Sequence, residues 1–110
     1  ENPSISVDAL AVLLKADAVP VILDARSGKY DDGRRIPGAK SLTGGASAEK
    51  VADVIPKKDT LVITYCANVK CPASAKLAEH LQKLGYTNVI ELPAGIDGWA
   101  ENGHDIEKVN

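Results

Sequence analysis

The sequence has 110 residues, no methionine and only two cysteines, and each scarcity excludes something. Cys66 and Cys71 stand five positions apart on one stretch of chain. They therefore cannot form the framework of bridges that ties distant segments of a small secreted domain together. Two thiols without a further Cys or His pair at zinc spacing also make a poor metal site, and no metal is expected. No basic run occurs and the formal charge is −2, so neither nucleic acid nor an anionic membrane is implied as a partner. The longest apolar runs are strand-length, too short to cross a bilayer. No internal repeat and no low-complexity tract interrupts the chain. A sequence that opens on Glu1 and lacks methionine reads as one that has lost something upstream. A signal peptide, the rest of a longer protein and cloning residues are all compatible. The expectation is a soluble protein, periplasmic after signal removal or cytoplasmic, and the sequence does not separate the two.

What is present is ordinary in amount: 45% apolar and 25% charged residues, enough for one domain over residues 1–110 with a single core and no staples. The informative stretch is 60–76. Thr60 to Tyr65 is β-branched and apolar, as a strand covered on both faces should be. Pro72 suits the first turn of a helix, Leu77, Leu81 and Leu84 repeat at helical steps, and Gly85 supplies a stop. Cys66 thus falls where a strand ends and a loop curls toward a helix N-terminus. Loop amides and the helix dipole there favour a thiolate. A reactive cysteine is expected.

The remaining chain alternates strands with helices. Ser4 to Ser6 predicts a short edge strand, with Ser6 capping a helix from Val7 to about Lys15 whose buried stripe is Leu10, Leu13 and Leu14. Val19 to Ala25 reads as an interior strand ending beside Asp24 and Arg26. Residues 27–39 are rich in turn formers, with at most one helical turn near Tyr30. A brief strand at Lys40 to Thr43, a helix from about Ser47 to Val54, a strand at Asn88 to Leu92 and a short terminal helix before Gly103 complete the pattern. This order predicts an α/β fold with a mainly parallel central sheet flanked by helices on both faces. Ligands of such sheets bind beyond the carboxyl ends of the strands, where Cys66 lies.

Several segments resemble one family, the rhodanese-like domains. Val21-Ile-Leu-Asp-Ala-Arg26 is similar to its first signature, an apolar strand ending in Asp-x-Arg, and Arg35-Ile-Pro-Gly-Ala39 to the His-Ile-Pro-Gly-Ala that follows. Tyr65-Cys66 resembles the start of the active-site loop. Leu81-Gln-Lys-Leu-Gly-Tyr-Thr-Asn-Val89 and Ala94-Gly-Ile-Asp-Gly-Trp99 resemble the closing motifs, so the likeness spans nearly the whole chain. It implies a rhodanese-like fold and a sulfurtransferase without cofactor. The cysteine takes a sulfane sulfur from a donor such as thiosulfate, polysulfide or a protein persulfide, holds it as Cys–S–SH, and passes it to a thiol, cyanide or a protein sulfur carrier. A thiolate and surrounding N–H donors meet the physical demands.

The sequence departs from the family in its loop. The common pattern is Cys-x-x-Gly-x-Arg-Ser; here Ser74 follows Cys66 by eight positions, with neither glycine nor arginine between them. Lys70 is the loop's cation, and Arg35 stands in place of the usual histidine. A longer loop implies a wider pocket and admits a bulkier donor. Within this reading Cys66 is catalytic, and Ala67, Asn68, Val69, Lys70, Cys71 and Arg35 are candidate substrate contacts. Each has a plainer alternative. Lys70 is a solvated loop charge, Arg35 an exposed turn residue, and Cys71 a passive thiol rather than one that resolves a persulfide or bonds Cys66. Asn68 orients the loop through its amide. Asp24 and Arg26 read as a structural ion pair near the site, Trp99 as a core aromatic, and His80 as part of a solvated helix face. His104, in a terminal turn, receives no role.

Four functions compete. A sulfurtransferase leads. A redox or binding module with a reversible Cys66–Cys71 disulfide is the alternative. Phosphatase or arsenate-reductase chemistry needs an arginine where Pro72 stands, which disfavours it. A purely protein-binding domain is disfavoured by the intact cysteine.

Overall fold

The computed structural model describes residues 3–16 and 20–109. Four parallel strands form the central sheet in the order β3-β1-β4-β5, where β1 is Val21–Asp24, β3 Lys40–Ser41, β4 Val62–Tyr65 and β5 Val89–Leu92. Val19, read from the sequence as the start of β1, lies outside the described residues. The registers Asp24↔Tyr65 and Tyr65↔Leu92 bring the carboxyl ends of the three longer strands level. Cys66 follows directly from this edge.

Alternation along the strands feeds two cores. Leu23, Val62 and Val89 point to one face, where helices α2 (Ala48–Val54) and α3 (Ala73–Lys83) supply Val51, Leu77, Ala78 and Leu81. Ile22, Ile63, Tyr65 and Leu92 point to the other, against α1 (Val7–Lys15) and α4 (Gly95–Glu101), which bring Val7, Leu10, Ala11, Ile96 and Trp99. A strand buried on both faces needs apolar residues at nearly every position, which is why β4 could be read from sequence.

Helix α1 begins as expected, with Ser6 Oγ accepting the Ala9 N–H at 3.1 Å. Its buried face differs from expectation. Val7, Leu10 and Ala11 are buried, while Leu13 and Leu14 are half-exposed, because an i, i+3, i+4 stripe seats the start of the helix against α4 and the sheet. The edge strand predicted for Ser4 to Ser6 shrinks to one parallel bridge, Ser4 to Glu91 on β5. Pro72 is the residue flanking α3 rather than part of its first turn. His80 is half-buried, its Nε2 2.7 Å from the Ala46 carbonyl, instead of lying on a solvated face.

No local pattern signals the antiparallel pair β2 (Arg34–Arg35) and β6 (Glu107–Lys108). Four charged residues carry no apolar alternation, and the pairing joins residues far apart in the chain. It is supported by Val109 N–H to Gly33 O at 2.8 Å and Gly38 N–H to Glu107 Oε1 at 2.7 Å. Between β2 and β3, Gly38 at φ 84° closes the Ile36–Ala39 turn, whose Ala39 N–H reaches Ile36 O at 2.9 Å.

Asp24 is fully buried at the end of β1 and is met by Arg26, itself 3% exposed. Arg26 Nη2 donates to Asp24 Oδ2 at 2.8 Å and Nε to Oδ1 at 3.1 Å. Removing one member of such a pair strands the other charge. Arg26→Leu should therefore destabilise the domain by about 3–5 kcal/mol in urea denaturation, whereas a loss within 1 kcal/mol would show the carboxylate to be adequately held by Arg35 alone.

Candidate active site

Cys66 is 2% exposed and is joined to Cys71 in a disulfide, the Cα atoms 6.2 Å apart. The loop between them is shaped locally by Asn68. Its Oδ1 accepts the Lys70 N–H at 3.0 Å and its carbonyl accepts the Cys71 N–H at 3.1 Å, so the chain folds back and carries Cys71 toward Cys66. Pro72 then leads into α3. Below the loop, Tyr65 is fully buried and its hydroxyl accepts the Ile36 N–H at 3.2 Å. Burial, reinforced by nearby Asp24, pushes the phenol far above its ordinary value, so it stays protonated.

A second element fixes the loop from the side. At the start of α4 the Ile96 N–H donates to the Cys66 carbonyl at 3.0 Å and the Asp97 N–H to the Ala67 carbonyl at 2.9 Å. Gly95 makes this approach feasible. It adopts φ 64°, and a Cβ there would fall 2.5 Å from Cys66 O and 2.7 Å from the Ala67 carbonyl carbon. Asp97 adds a side-chain clasp: Asn68 Nδ2 donates to Oδ2 at 3.2 Å, and Arg34 Nη2 to Oδ1 at 2.7 Å.

From there a chain of charges runs back to the sheet. Arg34 Nε donates to Asp32 Oδ2 at 2.8 Å, and Asp32 Oδ1 accepts from Arg26 Nη1 at 3.0 Å. Arg34 holds the Asp97 carboxyl below the ordinary range, with help from Asn68. Burial would raise Asp32, but hydrogen bonds from the Arg34 N–H and from the Arg26 and Arg34 guanidinium groups outweigh it and set its pKa at about 2.

The candidate residues divide accordingly. Cys66, Ala67, Asn68, Val69, Lys70 and Cys71 form one loop, with Asn68, Val69 and Lys70 exposed. Ala67, Asn68, Lys70 and Cys71 line an open cavity of about 470 Å³ together with Tyr30, Pro72 and Ala73. Arg35 is not brought to it. It is 5% exposed, neither an exposed turn residue nor a pocket cation, because both guanidinium nitrogens are claimed by Asp31 at 2.7 Å, with Ser41 and Asp24 beyond. Asp24 and Arg26 are the buried ion pair expected of them. Trp99 is core, its indole N–H bonded to Asp105 O at 2.7 Å. His104 stacks on it and meets Asp8 at 3.1 Å. Gly95, Asp97 and Arg34 had no site role assigned from sequence, although the first two lie in the Ala94–Trp99 motif. The contact that gives them meaning is visible only in three dimensions.

Comparison with known proteins gives a consistent picture. The family model of the rhodanese-like domain matches residues 6–102. A solved protein from Bacillus halodurans superposes with a TM-score of 0.85 at 25% identity, covering 97% of this chain and 77% of that one. The thiosulfate sulfurtransferase of Pseudomonas aeruginosa superposes at 0.77 with 30% identity over 99% of this chain, which spans only 21% of that enzyme. A rhodanese-like domain protein from Staphylococcus aureus shares the fold at 0.73 and 23% identity, over 98% and 99% of the two chains. No curated protein matches the chain.

Two outcomes test the loop's mooring. Gly103 has φ 78° with open space around it, so Gly103→Ala should cost only the left-handed backbone penalty, about 1–2 kcal/mol in urea denaturation. Gly95→Ala should cost clearly more, since the loop backbone must move as well; equal losses would deny the contact its importance. The Asp97 carboxylate has a lowered pKa in the folded state, so its contribution is present at neutral pH and fades as pH falls through that lowered value. The stability gap between wild type and Asp97→Asn should therefore be widest near pH 7 and close in acid. A gap constant with pH would contradict this.

Proposed function

The chain belongs to the rhodanese-like domain family, and from that premise we propose that it is a sulfurtransferase working through a persulfide on Cys66. The observation that carries the reading is the place of Cys66, directly after the central strand β4 on the loop that leads into α3. Similarity to the Pseudomonas aeruginosa thiosulfate sulfurtransferase supports it. In the reduced loop the Cys66 thiolate attacks the outer sulfur of thiosulfate. The sulfur–sulfur bond of the donor breaks and sulfite leaves with the electron pair. The bound sulfur then passes to a thiol, to cyanide or to a carrier protein. Polysulfide and protein persulfides are the alternative donors, and the open cavity lined by Ala67, Asn68, Lys70 and Cys71 beside the loop supports a bulkier donor.

A second reading has its own observation. The Cys66–Cys71 disulfide favours a thiol redox module that cycles between bridged and open loops. The two are separated by intact mass. Reduced, desalted Cys71→Ser incubated with thiosulfate should gain one sulfur atom, which cyanide removes as thiocyanate, while the Cys66→Ser/Cys71→Ser double variant gains none. If Cys71→Ser stays unmodified with thiosulfate, polysulfide and a persulfidated carrier protein alike, sulfur transfer is ruled out and the redox module remains.

A further inference from the structure

The disulfide does more than compete with sulfur transfer; its geometry fits the end of one turnover. We propose that Cys71 is a resolving cysteine, which expels the persulfide sulfur from Cys66 as hydrosulfide and leaves the loop to be reset by a dithiol. The proposal rests on the Cys66 persulfide reading and adds to it a product and a class of co-substrate.

Three observations meet here. First, the two sulfurs are bonded to each other across Cα atoms 6.2 Å apart, a separation ordinary for such a bridge. Second, the reach is built by the loop's own hydrogen bonds. The Asn68 turn returns the chain, and Asp97 holds Asn68 from α4. The added length between Cys66 and Ser74 is thus spent on placing a second thiol. Third, the two cysteines are not equivalent. Cys66 is 2% exposed and its carbonyl is fastened to α4, whereas Cys71 is half-exposed and lines the cavity.

The steps balance. The Cys71 thiolate, having given its proton to water, attacks Sγ of Cys66 in the Cys66–S–SH persulfide. The Cys71–Cys66 bond forms, the bond to the outer sulfur breaks, and that sulfur leaves with the electron pair as hydrosulfide. Two cysteines are oxidised by two electrons in total and the sulfane sulfur is reduced to sulfide. A dithiol then attacks the accessible sulfur, that of Cys71, and Cys66 departs as the thiolate. The second thiol of the reductant closes its own disulfide and frees Cys71. Thiosulfate and a dithiol become sulfite, hydrogen sulfide and a disulfide.

The test is a single turnover without reductant. Wild type is reduced, desalted under anaerobic conditions and given thiosulfate. It should release about one equivalent of sulfide per chain, end two hydrogens lighter than the reduced protein, and resist thiol labelling at both cysteines. Adding dithiothreitol should make release catalytic. Cys71→Ser and Cys71→Ala should keep the extra sulfur and release at least tenfold less sulfide in the reductant-free turnover. If wild type also keeps the extra sulfur and releases none, the resolving role is overturned while the persulfide stands. The same follows if the Cys71 variants release as much as wild type. If the Cys71 variants take up no sulfur at all, the persulfide reading falls and this inference falls with it.

Discussion

The first turn of α4 holds the backbone of the cysteine loop by two N–H donors, to the carbonyls of Cys66 and Ala67. The backbone position of Cys66 is set from this side by that contact. A loop of this length leaving a sheet edge would otherwise sample many shapes, and each ordered residue costs about 1–2 kcal/mol of backbone entropy. Two backbone hydrogen bonds and the Asp97 clasp narrow the ensemble from a neighbouring element whose own position is fixed by Ile96 and Trp99 in the core. The packing of α4 thereby reaches the position of a sulfur atom.

Behind the loop, the charged chain Asp24–Arg26–Asp32–Arg34–Asp97 crosses from the sheet to the site. Its inner end is buried, where a lone charge would be prohibitive; its outer members are partly exposed, where an isolated pair contributes little. What the network adds is direction. Each guanidinium is held by two or more acceptors, so the irregular 27–39 segment, with few apolar anchors of its own, is located against both β1 and α4. Arg35 belongs to this framework through Asp31 and Asp24, which explains why a cation near the strand ends does not serve the pocket.

The cysteine loop combines a buried sulfur with a more accessible one. Burial protects Cys66 from adventitious chemistry, and the cavity gives access through Cys71.

By itself the sequence determined the alternation of strands and helices, the two-sided burial of β4, the helix cap at Ser6, and Cys66 as the residue at a strand end. These follow from local periodicity and from what a covered strand must contain, so they are written in consecutive residues. The Asp24–Arg26 pair and Trp99 were legible for the same reason, being short-range or strongly apolar features. Only the tertiary structure decided the rest. The strands β2 and β6 pair residues more than seventy positions apart in the chain. Gly95 is required because another segment's backbone comes within a Cβ's reach, and Asp97 and Arg34 gain their role from partners distant in sequence. Arg35 is neither the substrate contact nor the exposed turn residue that its place in the sequence suggests, because its burial depends on acids that the fold gathers around it. No periodicity records such meetings; they exist only once the chain has packed.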